Sequence, residues 1–241
     1  MLPAETERVW TFLAKQPALA GFVLIGGSAL ALRLRHRISE DLDLAFPGPR
    51  LPRARLDALL RLAHEAGFDF QRNDDEAALQ QFAGGGLELH DYQQDFLVNQ
   101  VVKVSFFTLD APQIKVLSEL SGAVPRVASL VELFKTKCLV SATRSKTRDW
   151  LDLYMLLRQH GFSLRDYAAT FCEGGIESQC DLGLSRLCSG MPQRDDEGYA
   201  HLLADAPTVK EMQDFFVEER KRWEIETATE TARRRRPGGG G

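Results

Sequence analysis

The stretch from Gly21 to Phe46 most constrains what this chain can fold into. Gly21-Phe-Val-Leu-Ile25 is a short apolar run closed by Gly26-Gly27, the pattern of a buried strand ending in a tight turn. Ser28 to Arg35 is rich in alanine and leucine and predicts a helix. Asp41-Leu-Asp-Leu-Ala-Phe46 alternates polar and apolar residues, which predicts a second strand stopped by Pro47-Gly48-Pro49. Strand, turn, helix and strand thus follow one another in that order.

A strand period of two puts Asp41 and Asp43 on one face and turns Leu42 and Leu44 toward the core. Like charges side by side repel, and a divalent cation between them relieves the repulsion. Magnesium takes one or two carboxylates plus substrate phosphates, so Asp41 and Asp43 are the candidate metal ligands. Gly26, Gly27 and Ser28 are the candidate nucleotide-binding residues. Two glycines let backbone amides approach a phosphate, the serine offers a hydroxyl, and a helix start presents unpaired N–H groups. A Gly-Gly turn or an Asp-x-Asp strand end alone is an ordinary structural feature. Together, in this order, they are equipment for phosphoryl or nucleotidyl transfer. Competing motifs fail on reading: no Gly-Lys-Ser/Thr exists for a Walker A loop, and Leu30 stands where a hydrolase elbow needs glycine.

The remainder divides into two parts. Helices are expected at 4–16 and 53–66, and strands at 68–72, 87–91 and 101–107. Gly84-Gly85-Gly86 reads as a flexible hairpin or lid loop. After Pro125 the period becomes helical. Ser129-Leu-Val-Glu132 is a capping box opening a helix at 130–142, followed by helices at about 147–159, from Ser163, and at 208–224. The expectation is an α+β domain at 1–124, a helical domain at 125–228 and a disordered basic and glycine tail at 229–241. A net charge of −4 excludes a surface that tracks nucleic acid over its whole extent. The absence of any apolar stretch near bilayer length, or of an apolar leader, leads to the expectation of a cytoplasmic protein without a membrane partner. Four cysteines without a CxxC pair read as free thiols, with Cys172, Cys180 and Cys188 buried. Arg33, Arg35 and Arg37 read either as solvated charge or as the edge of a polyanion path.

Gly26-Gly27-Ser28 followed by Asp41-Leu-Asp43 resembles the signature of the DNA polymerase β-like nucleotidyltransferase superfamily. Arg37-Ile-Ser-Glu-Asp41-Leu-Asp43-Leu is similar to the AbiEii/AbiGii toxins of type IV toxin–antitoxin systems. So is Lys137 followed by Arg144 and Arg148-Asp149-Trp-Leu-Asp152-Leu-Tyr154. The resemblance implies a mixed-sheet nucleotidyltransferase fold joined to a helical domain, with the active site between them. It implies Mg²⁺ as cofactor, an NTP substrate, an RNA acceptor (tRNA above all) and a cognate antitoxin as partner.

Lys137 lies on the apolar stripe of Leu130, Leu133 and Phe134. Its stem could rest on the core while the amine reaches water, and the resemblance instead aims the amine at a triphosphate. Asp149 reads either as first-turn acid complementing the helix dipole or as the group that positions Lys137 or the acceptor. Asp152 reads as a partner of Arg148 or as part of the same group. The candidate catalytic set is therefore Asp41, Asp43, Lys137 and Asp149. One departure stands out. The superfamily places a third carboxylate on a later strand, and in Val101-Val-Lys-Val-Ser105 the matching position is Ser105, with Lys103 on the same face. A serine alone is no general base. Asp91 or Asp95 takes the carboxylate's place only in a different strand register, which the sequence does not settle. A catalytically degenerate nucleotide- or partner-binding module, or a small-molecule nucleotidyltransferase of the antibiotic-modifying type, are the alternatives.

Overall fold

Valine, leucine and isoleucine form a fully buried three-residue strand, β1 (Val23–Ile25), at the heart of the first of two units, Met1–Thr136. The computed structural model describes residues 1–117 and 122–235. Helix α1 (Ala4–Leu13) precedes β1 and buries Val9 and Leu13. Gly26, at φ +71°, turns the chain straight from β1 into α2 (Gly26–Leu34). The strand β2 (Leu42–Phe46) returns antiparallel to β1, and α3 (Arg53–Glu65) follows with Leu56, Leu59 and Ala63 inside. Then come β3 (Phe70–Arg72), α4 (Glu76–Gly84), β4 (Gln93–Val98), β5 (Val102–Thr108), α5 (Ala111–Val116) and β6 (Arg126–Val127).

The strands form one mixed sheet in the order β3-β4-β5-β2-β1-β6. β2 and β5 run parallel, as do β1 and β6, and the other pairs are antiparallel. Leu42, Leu44, Val104, Phe106 and Phe96 are buried. On that side of the sheet Phe106 stands edge-on to both Phe22 and Phe96, at 5.8 and 6.0 Å between ring centres. The opposite face carries Asp43, Ser105 and Asp95.

Two expectations are corrected in this unit. The strand placed at 87–91 is a 3₁₀ turn at Leu89–Asp91, and the strand begins at Gln93. Gln93, Gln94 and Asp95 hide its apolar alternation: Gln93 and Asp95 share the face of Ser105, while Gln94, on the side of Phe106, is buried with its amide donating to the His90 carbonyl at 3.0 Å. Of the triple glycine, Gly84 ends α4 and Gly85-Gly86 form the turn that follows; the start of α4 is capped by the Asp75 carboxylate accepting from Ala77 N–H at 2.7 Å.

The helix α6 (Leu130–Ser141) opens with the expected capping box. Ser129 N–H donates to Glu132 at 2.6 Å, and Glu132 N–H donates to Ser129 Oγ at 3.3 Å. Its later turns belong to the second unit, Lys137–Gly241. That unit contains α7 (Thr147–Gln159), α8 (Leu164–Gly174), α9 (Cys180–Ser189) and α10 (Val209–Arg235). Helix α8 opens on a second capping box, Ser163 with Asp166. Phe216 is buried and Tyr154 meets Phe215 edge-on at 4.9 Å, fastening α10 to α7. Helix α10 runs past the expected end at 224 to Arg235, so residues 229–235 are helical. Its last turns are rich in Glu, Ala and Arg, which favour a helix even where little is buried. Arg236 and the Pro-Gly run lie outside the described residues. Of the four cysteines only Cys138 is buried, which corrects the expectation for Cys172, Cys180 and Cys188. No helix among the described residues is long and apolar enough to cross a membrane.

Candidate active site

Antiparallel pairing places Ile25 opposite Asp43, so the end of β1 and the start of α2 lie beside the second aspartate. A Cβ on Gly26 would stand 2.5 Å from Asp43 Oδ2, and one on Gly27 would stand 2.6 Å from Arg37 Nη2 and 2.8 Å from Ser39 Oγ. Both glycines are therefore required by close approach, and Gly26 also by its positive φ. Leu42 and Leu44 are fully buried, Asp43 is half-buried and Asp41 exposed, as strand alternation predicts. The N-cap residue of α2, Ile25, supplies no side-chain cap, and a helix start presents amides suited to an anion.

Ser28 is fully buried, and its hydroxyl donates to the Asp41 carbonyl and lies 3.1 Å from Ser39 Oγ. The hydroxyl expected on a phosphate is thus spent on holding the loop that delivers Asp41. The residue's backbone N–H is its remaining contribution to an anion. The arginines separate. Arg37 is only 4% exposed and donates to Ile38 O at 2.9 Å, which excludes solvated charge. Arg33 instead ties α2 to β6 through the Val127 carbonyl at 2.9 Å and the Ala128 carbonyl. Arg35 ends α2 at φ +52° and is exposed. The inward turn of Arg37 and Ser39 went unread in the sequence. The sequence carried no signal for it, because the apolar Ile38 is the exposed residue and the polar Arg37 and Ser39 are the buried ones.

Ser105 stands where the resemblance leads one to expect a third carboxylate. It pairs with Asp43 of β2 on one side and with Asp95 of β4 on the other, so the three side chains form a line across adjacent strands. Lys103, two residues earlier on β5, is exposed on the same face. Asp91 lies in the 3₁₀ turn, paired with Arg50 and Arg53 at 3.0 and 3.2 Å, and is no part of this line. Asp95 is.

The second unit holds its own polar group. Lys137 Nζ lies 2.6 Å from Asp149 Oδ1 and 2.7 Å from Asp152 Oδ2, and the three side chains are 8%, 2% and 0% exposed. Asp149 and Asp152 sit three residues apart on α7, hence on one face. Arg144 Nε donates to Asp149 Oδ2 at 2.7 Å. The amine therefore does not reach water along the core, the first of its two readings. Arg148 turns instead to the Gly198 carbonyl at 3.1 Å and to Glu197 at 3.2 Å, so Asp152 belongs with Lys137. Burial pushes the Asp149 carboxyl up, but Lys137 and Arg144 outweigh it and hold the group below the usual carboxylate range. Two cations and two carboxylates compensate one another and fix the amine in one orientation.

Among the described residues no three His, Cys, Asp or Glu side chains converge to hold a metal unaided. Two carboxylates completed by substrate oxygens is the arrangement magnesium prefers. The close approach of Asp43 Oδ2 to position 26 sets this carboxylate directly against the start of α2.

The chain is 19% identical to JHP933 from Helicobacter pylori, at a TM-score of 0.51, covering 97% of this chain and all of that one. It is 15% identical to MenT4, a nucleotidyltransferase toxin from Mycobacterium tuberculosis, at a TM-score of 0.47, covering 94% of each chain. No curated protein sequence matches significantly. The family model for the nucleotidyl transferase AbiEii toxin of type IV toxin–antitoxin systems matches residues 10–230. That span takes in the Gly-Gly-Ser turn, both aspartates and the Lys137 group. The chain belongs to the AbiEii family of toxin nucleotidyltransferases.

Proposed function

We propose that the protein is a magnesium-dependent transferase that moves a nucleoside monophosphate from an NTP to an RNA acceptor, tRNA foremost, with release of pyrophosphate. The observation that carries this reading is the placement of Asp43 against Gly26 at the uncapped start of α2. One turn thereby presents anion-binding amides and a pair of oxygen ligands together. Asp41 and Asp43 would hold the cation, whose chemistry when bound is to neutralise phosphate charge and acidify the attacking hydroxyl. Gly26, Gly27 and the amide of Ser28 bind the β- and γ-phosphates. Ser28 fixes the Asp41 loop through its hydroxyl. Lys137 is the second unit's candidate phosphate-binding cation, and Asp149 and Asp152 orient its amine. Family membership supports a cognate antitoxin protein as the partner that restrains the activity.

The test is incubation with Mg²⁺, each labelled NTP in turn and total tRNA, beside an Asp41→Ala/Asp43→Ala control. Label on RNA that the control loses supports the reading and names the nucleotide. Serine at position 105 favours a second reading, a module that binds nucleotide without transferring it. Saturable Mg²⁺-dependent NTP binding without label on RNA or on added small hydroxyl compounds would establish that one instead.

A further inference from the structure

The line Asp43–Ser105–Asp95 is a consequence of register. Ser105 is the partner of Asp43 in the parallel pair and of Asp95 in the antiparallel pair. Directly opposed residues on one sheet face have Cβ atoms about 5 Å apart, so the Ser105 hydroxyl lies within a rotamer change, or one water, of the Asp95 carboxylate. Asp95 is 5% exposed. Its Oδ2 accepts from Gln93 Nε2 at 2.6 Å, and its backbone N–H donates to Asp74 Oδ1 at 3.1 Å. Its Oδ1 is buried with no hydrogen-bond partner among the described residues. A buried carboxylate oxygen without a donor is costly and uncommon in a folded protein, and it marks a place where a donor arrives. A hydroxyl carries one donor and two acceptor positions, so it can accept one proton while giving up another.

We propose that Ser105 and Asp95 act as a two-residue relay in place of the missing third carboxylate. This inference rests on the proposed nucleotidyl transfer. The acceptor hydroxyl donates to Ser105 Oγ, and the Ser105 hydroxyl donates to Asp95 Oδ1. As the acceptor oxygen bonds to the α-phosphorus and the bond to the pyrophosphate oxygen breaks, the acceptor's proton passes to Ser105 and the serine's proton to Asp95. Ser105 is then the catalytic residue that touches the acceptor, and Asp95 the positioning residue behind it. The Ser105–Asp95 hydrogen bond forms when the acceptor is bound, in keeping with catalytic hydrogen bonds that tighten only in the reacting complex.

The experiment measures kcat and the KM for NTP with Mg²⁺, labelled NTP and total tRNA, for the full chain and for Ser105→Ala, Asp95→Asn, their combination, and Ser105→Asp in the Asp95→Asn background. Each single change is expected to lower kcat by on the order of 10²-fold with KM unchanged. The double variant is expected to be no worse than either single one, because the two residues act as a unit. Ser105→Asp is expected to restore activity to the Asp95→Asn chain. A purely structural Asp95 predicts no such restoration and no shared loss. The inference is overturned if Ser105→Ala keeps kcat within about twofold, or if the two losses multiply. Should Asp95→Asn unfold, Ser105→Ala and Ser105→Asp alone decide: retained activity in the first overturns the relay, and loss in the first with activity in the second supports it. A wild-type chain that labels nothing fails at the earlier step and removes the proposed function along with this inference.

Discussion

The two units place their functional groups by different means. In the first, backbone register does the work. Asp43 lies beside Gly26 and opposite Ser105 because strands β1, β2 and β5 pair as they do, and the carboxylates stay partly open to solvent. In the second, side chains hold one another. Lys137, Asp149 and Asp152 are almost wholly buried, and Arg144 joins them from the rim. A register-built site can lose a side chain and keep its fold. A buried ion group cannot, because removing one member leaves the others charged and unpaired. The same substitution logic should therefore separate activity from stability in the first unit and merge them in the second.

The widest separation is expected at Asp43→Asn. Transfer should fall by on the order of 10³-fold, the scale of losing a preorganised electrostatic group, while the urea midpoint stays within experimental error of the wild type. A large drop in that midpoint would show that Asp43 holds the sheet rather than the substrate. Lys137→Met reverses the pattern and should cost about 3–5 kcal/mol of stability by urea unfolding, since it breaks a buried pair. Adding Asp152→Leu should recover most of that loss, because Asp149 keeps Arg144 at 2.7 Å. No recovery would mean that shape rather than charge sets the cost. Gly26→Ala should be intermediate, at roughly 1–3 kcal/mol, from a positive φ and a methyl pressed on Asp43. Its effect on NTP affinity, read by titration calorimetry, should exceed that of Gly27→Ala if Asp43 is the group displaced.

Acid sharpens the comparison further. The Asp149 carboxyl is held below its unfolded value, so its stabilisation is complete above the ordinary carboxylate pKa and is lost as pH falls through the folded one. Asp149→Asn should leave a less stable helical unit whose stability changes less with pH below about 4, measured as urea midpoints at stepped pH. The smallest effect concerns thiols. Burial raises the Cys180 thiol to about 11, so at pH 8 iodoacetamide should label exposed Cys172 well before Cys180, as peptide mapping would show.

How much of this was legible in the sequence follows the same divide. The Gly-Gly-Ser turn, the same-face aspartates and the Ser129 and Ser163 helix starts were readable, because each depends on residues only a few positions apart. The strand at 93–98 was not. Its polar run Gln93-Gln94-Asp95 becomes a strand only through pairing with β5 and β3, contacts distant in sequence. The short helices α4 and α5 were missed for want of a long apolar stripe, and the solvated end of α10 because helix propensity and the Arg165–Glu230 ion pair, rather than burial, hold it. The fate of Ser28 was misjudged for a related reason. A serine after two glycines reads as a phosphate ligand until the loop that returns over it is known. Ser105 could be flagged as a departure from the sequence, but its alignment with Asp95 is a property of the sheet.

The most direct measurement of the central claim is pyrophosphate release with Mg²⁺, the preferred NTP and total tRNA, comparing wild type, Asp43→Asn and Lys137→Met at a temperature where all three remain folded. The account predicts release by the wild type that depends on added tRNA and is lost in both variants, with NTP binding weakened most by Asp43→Asn. Release from wild type that persists undiminished in Asp43→Asn would contradict it.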